Sequence, residues 1–162
     1  PTAVGACIGA VVGLVAITPA AGYVSYGQSI LFGVLAALIS HAAVHWQNSR
    51  TTIDDTLDVF PCHGLGGIVG MLLTGVFADK VGLIHGTFTT FGYHLLGLFI
   101  VIIYSFVGAW ILLKITDRIF GLRVQLKEEE LGLDLSQHEE STYHIDEEFE
   151  RTYRRDVAPE RV

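Results

Sequence analysis

The sequence predicts an all-α fold: a polytopic bundle of four transmembrane helices followed by a short acidic tail. Three observations point there. The 162 residues are 51% hydrophobic and only 17% charged, against about 25% charged in an ordinary soluble domain. Four apolar runs, Ala3 to Gly22, Ser29 to Trp46, Val59 to Ala78 and Phe91 to Leu113, contain no Asp, Glu, Lys or Arg at all. Charge is also segregated. Residues 1–126 balance five basic against five acidic side chains, whereas Lys127 to Val162 carries the entire formal charge of −7.

A bilayer core of about 30 Å needs about 20 apolar residues in a helix. A soluble helix of that length would expose a polar face, and membrane strands would alternate polar and apolar residues over about 10 positions. The runs fit neither. The helices are expected at about 3–22, 29–46, 55–78 and 91–118, so that residues 1–120 form the membrane region and 121–162 the tail. The acidic balance gives no surface for phosphate backbones, which argues against nucleic-acid binding. Cys7 and Cys62 sit inside apolar runs and do not form a disulfide framework. No catalytic residues, cofactor or metal are expected, and the protein does not read as an enzyme.

The first run begins without a basic n-region and is too long for a signal-peptide core. The chain starts at Pro1, at a helix entrance and without Met, which reads as a fragment or a processed product. Gly5, Gly9 and Gly13 recur every fourth residue and predict close helix packing. Pro19 then interrupts the helix, with the Thr18 hydroxyl able to serve a freed carbonyl. His41 and His45 in the second run stand four residues apart. That spacing suits a metal, but no third ligand is evident.

The third run carries the chemistry. Thr52-Ile-Asp-Asp55 matches a capping box, so the helix starts either there or at Val59. Pro61 lies inside it and would leave the Leu57 carbonyl without its partner. His63 then stands about 16 Å or about 7 Å along the helix, at 1.5 Å per residue. On α-helical spacing Gly66, Gly67 and Gly70 share its face. An ionisable ring on a nearly bare track predicts a cavity or permeation path, with a packed, backbone-bonded His as the alternative. Asp58 is about 140° away around the helix and is expected to anchor the inner end by bonding backbone N–H groups or another helix.

His94 near the outer end of the fourth run is expected to reach water. Basic residues Lys114, Arg118, Arg123 and Lys127 follow that run and predict a cytoplasmic C-terminus. Gly121 reads as a helix stop. Leu131, Leu133 and Leu135 among acids could dock on a protein surface, and Ile145 to Val162 reads as disordered.

Three segments carry a family resemblance. Gly13-Leu-Val-Ala-Ile-Thr-Pro-Ala-Ala-Gly22, Asp54-Asp-Thr-Leu-Asp-Val-Phe-Pro-Cys-His-Gly-Leu-Gly-Gly-Ile-Val-Gly70, and Gly121-Leu-Arg-Val124 with Gly132-Leu-Asp-Leu-Ser-Gln-His-Glu-Glu-Ser141 resemble the C-terminal part of ammonium transporters of the Amt/Mep/Rh family. The likeness covers about Pro1 to Tyr143. It implies an eleven-helix fold, of which these spans resemble the eighth to eleventh, assembled as a homotrimer in the cell membrane. It implies that His63 is one of a pore histidine pair, with Val59 and Ile17 lining the pore and Asp58 at the inner end of the helix. It implies a regulatory tail bearing on a neighbouring subunit and on PII-class proteins, in which Gly121, Arg123 and Asp134 are the expected residues. Seven spans of that fold are not in this chain, and with them the first pore histidine.

Physically, a bare ammonium ion is costly to bury, whereas neutral ammonia keeps hydrogen bonds to imidazole in an apolar pore. The alternatives are a b-type cytochrome-like bundle with histidine-ligated haem and a membrane-anchored docking protein that works through its tail.

Overall fold

Apolar runs without charge leave the backbone to satisfy its own polar groups, and helices do so within one segment. The computed structural model describes residues 2–86, 88–138 and 140, and their regular structure is helical throughout. Four helices are long and apolar enough to cross a membrane: Ala3–Ala20, Tyr26–Arg50, Phe60–Phe77 and Phe88–Phe120. Two compact units divide the chain, 1–105 and 106–162.

In the first unit, α1 (Ala3–Ile17) opens on Thr2, whose hydroxyl accepts the Gly5 N–H at 3.0 Å. Pro19 ends it through a single 3₁₀ turn, Thr18–Ala20. The Thr18 N–H shifts to the Val15 carbonyl, and the Thr18 hydroxyl takes the Leu14 carbonyl at 2.7 Å. Helix α2 (Tyr26–Arg50) starts three residues earlier than the apolar run, because Ser25 and Gln28 form a reciprocal capping box. Ser-x-x-Gln is the spacing that such a box requires.

The third span departs from expectation. Residues 51–58 are irregular, so the helix starts at Val59, and Thr52 does not cap it. Phe60–Leu65 then forms a π-helical turn that leads into α3 (Gly66–Phe77). Pro61 therefore lies in the first turn. Its missing N–H would have been without a helical partner anyway, and Leu57 precedes the helix instead of losing a bond within it. At the far end the chain folds back: the Leu83 and Ile84 N–H groups donate to the Gly75 and Val76 carbonyls, and the Asp79 N–H donates to the Tyr23 carbonyl at 2.7 Å.

Val12 and Ala16 of α1, Ala36 of α2 and Cys62 form the core, flanked by Ile8 and Val69. Phe32 and Phe77 meet edge-on, with ring centroids 6.2 Å apart. Small residues set the helix spacing. A side chain at Gly70 would run into the Ala16 carbonyl, and one at Gly66 would meet Val12 and Val15. Of the glycines in α1, Gly13 alone faces another helix closely, with Gly33 Cα 3.7 Å from the place a Cβ would occupy. Gly9 has open space there, so the three-glycine strip is a packing surface only in part. Phe91 and His94, at the start of α4 (Phe88–Phe120), pack on Gly75. The His94 Nδ1 is buried without a hydrogen-bond partner among the described residues, so the ring does not reach water through that atom.

The second unit holds the rest of α4 and the tail. Gly121 ends α4 in the left-handed region (φ 72°), and the Asp117 carboxylate accepts the Leu122 N–H at 3.2 Å. Two short helices follow, α5 (Leu126–Leu131) and α6 (Leu133–His138), joined at Gly132 (φ 100°). The Ser136 hydroxyl sits within hydrogen-bond distance of the Glu128 and Gly132 carbonyls, and Arg123 pairs with Glu129 at 3.0 Å. Ile145 to Val162 lies outside the described residues.

Candidate functional site

The start of the third span is built by a carboxylate upstream of it. Asp55 accepts the Val59 N–H at 2.8 Å and the Phe60 N–H at 2.9 Å. These bonds, that to Phe60 foremost, hold the Asp55 carboxyl below its ordinary value of 3.8. The capping expected of Asp58 thus falls to Asp55. Asp58 instead makes the turn into the helix, with a left-handed backbone (φ 51°) and its carbonyl accepting the Cys62 N–H at 3.0 Å. The first N–H groups of the helix are thus met by the carboxylate three positions earlier. Gln47 of α2 donates its Nε2 to Asp55 Oδ2, the oxygen that also accepts the Phe60 N–H, at 3.4 Å.

Pro61 and Cys62 follow and are both buried. Pro61 offers its carbonyl to the Ser40 hydroxyl of α2 at 2.7 Å, and Cys62 enters the core cluster. His63 comes next and leaves the packed seam: it is exposed and lines a groove of about 400 Å³. Cys7, Ile8 and Val11 of α1 form one wall of the groove, and Leu57 and Cys62 lie beside the ring. Apolar walls with one imidazole offer a small neutral molecule a hydrogen-bond donor and an acceptor while giving an ion little solvation.

The glycine track is divided. Gly66 and Gly70 are buried against α1, while Gly67 has open space beside it. Gly66 and Gly70 stand on the side of α3 that meets α1, and Gly67, about 100° on from Gly66, does not. The π turn takes His63 off the α-helical spacing on which the shared face was predicted. Val59 is half exposed at the helix start, and Ile17 is half-buried at the far end of α1. Neither belongs to the groove wall that His63 shares with α1. His41 and His45 are exposed on α2, and among the described residues no group of three or more His, Cys, Asp and Glu is arranged to hold a metal.

Four membrane-length helices, three of them packed together on small residues with an imidazole in an apolar groove, define a multi-pass helical membrane protein. Comparison with known proteins narrows the class. The Ammonium Transporter Family matches residues 1–143, and the chain belongs to it. It is 42% identical over 153 residues to a putative ammonium transporter of Methanothermobacter thermautotrophicus, covering 90% of this chain and 38% of that protein. It is also 42% identical over 150 residues to an ammonium transporter of Aquifex aeolicus, covering 90% of this chain and 35% of the relative. Among solved structures, Candida albicans Mep2 superposes with a TM-score of 0.70 at 38% identity, over 96% of this chain and 34% of that one. The chain thus spans little more than a third of the length of these relatives. Family membership favours the transporter expectation over the haem bundle and the docking anchor.

Proposed function

We propose that this chain is the C-terminal part of an ammonium transporter and that it contributes one wall of the path taken by ammonia. The observation that carries the reading is the emergence of His63 into an apolar groove directly after two buried residues, Pro61 and Cys62. Stripping water from ammonium is costly in such a groove, whereas ammonia exchanges its hydrogen bonds with water for bonds to imidazole. The proton stays behind or moves separately. Val59 and Ile17 line the continuation of the path outside the groove at His63, Asp58 and Gly67 stand near it, and Gly66 and Gly70 hold the span that carries it against α1.

Residues 1–120 form the membrane region, and residues 121–162 form a cytoplasmic regulatory tail. The protein resides in the plasma membrane with its C-terminus inside, an orientation that the basic residues after the fourth span support. The functional unit is a homotrimer, and Gly121, Arg123 and Asp134 belong to the tail surface that a neighbouring subunit or a PII-class protein meets. The intact transporter tests the reading. Reconstituted into proteoliposomes under an ammonium gradient, it changes the lumenal pH or ammonium content faster than protein-free vesicles and leaves a sodium gradient intact. Equal rates with and without protein refute transport by this family member.

A further inference from the structure

We propose that Ser40 of α2 is a positioning residue for His63. It fixes the Pro61–Cys62 peptide, two residues before the imidazole, and thereby sets how the ring meets the permeating molecule. The proposal rests on the pore role of His63 given above. Hydroxyls in apolar helices ordinarily bond the carbonyl one turn back. Thr18, Thr51, Thr74 and Thr116 all do so in this chain, donating to Leu14, Gln47, Gly70 and Leu112. Ser40 behaves differently. Its hydroxyl crosses to another span and donates to the Pro61 carbonyl at 2.7 Å, in a buried setting where Ser40 is 2% exposed.

The bond falls at the π turn, where the α-helical bond spacing gives way to a wider one between residues 60 and 65. One face of α2 runs along this stretch. Ala36 packs with Cys62 in the core cluster, Ser40 bonds Pro61, and Gln47 reaches Asp55. The two spans thus run antiparallel, with a contact at each step from the cap to the residue before His63. Of these contacts, Ser40 gives the side-chain hydrogen bond that falls closest to His63 along the chain. It fixes the peptide plane between Pro61 and Cys62, and therefore the direction in which His63 leaves the helix.

The test compares side chains of one shape in the intact transporter, reading the ratio of ammonium to methylammonium flux in proteoliposomes. Ser40→Thr keeps the hydroxyl and is expected to stay near the native ratio. Ser40→Val, of the same shape without the donor, is expected to change the ratio about tenfold, the worth of one hydrogen bond. Ser40→Ala, which only removes the oxygen, should follow Val and covers the case in which the larger side chains do not fold. Size-exclusion profiles confirm that the variants compared are folded. A double-mutant comparison with His63→Gln separates the two ideas. If Ser40 acts through the ring, Ser40→Ala adds nothing further to His63→Gln. An equal ratio for Thr, Val and Ala, or a full Ser40→Ala effect in the His63→Gln background, overturns the positioning role and leaves the pore role standing. An unchanged ratio in His63→Gln and His63→Ala overturns the pore role itself.

Discussion

In the seam between α1, α2 and the third span, the decisive contacts join residues distant in sequence: Ser40 to Pro61, Gly70 to Ala16, Gly13 to Gly33. In the tail beyond Phe120 they are local: Arg123 to Glu129, Ser136 to Glu128 and Gly132, Glu140 to Asp134. The seam also rests on small residues and close backbone approach, whereas the tail rests on charges and turn glycines. The difference teaches where each region is vulnerable. A single added methyl can separate two spans of the seam. A single lost charge in the tail is replaced by water.

Substitutions of graded size can break or sharpen that contrast. The largest effect is expected at Gly70, where a side chain collides with the Ala16 carbonyl. Gly70→Val should lower stability by at least about 1–3 kcal/mol, the usual cost of overpacking. The readout is loss of folded transporter in size-exclusion profiles and a fall in its unfolding midpoint. Next comes Asp55→Asn, which weakens the acceptor for the Val59 and Phe60 N–H groups. Its native carboxyl is held below 3.8, so its contribution is present above that pH and disappears as the pH falls through the lower folded value. Melting curves of wild type and Asp55→Asn should therefore differ at neutral pH and converge below about pH 3.8.

In the tail, Gly121→Ala forces a Cβ into a left-handed backbone (φ 72°) and should cost about 1–2 kcal/mol. Faster amide exchange around residues 117–122, with an unchanged midpoint for the seam, is the expected signature. The smallest effect belongs to Arg123→Ala. The Arg123 side chain is 76% exposed and that of Glu129 is 38% exposed, and such pairs contribute about 0–1 kcal/mol. No measurable change in the midpoint is expected at physiological salt. If Arg123→Ala unfolds the seam, the contrast between the two regions is wrong.

The same contrast explains what the sequence made legible. The four spans, the break at Pro19 and the stop at Gly121 depend on composition or on neighbours along the chain, and they could be read there. His63 stood out for a similar reason, as an ionisable ring in an apolar run. The π turn could not be read, because Pro61 signals only a missing N–H and not which bonds replace it. That Asp55 and not Asp58 bonds the first N–H groups was hidden by the left-handed turn at Asp58. Ser40 looked like one more hydroxyl in a helix, since only the antiparallel placement of α2 brings it to Pro61. The division of the glycine track depends on which side of α3 meets α1, and no local pattern shows that.

The account turns on whether His63 meets the permeating molecule. Flux of ammonium and of methylammonium through intact transporter bearing His63→Ala, matched to wild type for folded protein, measures this most directly. The account predicts that flux falls or that the ratio of the two fluxes moves by about tenfold or more, the scale of a lost hydrogen bond in the path. A His63→Ala transporter with native flux and native ratio would contradict it.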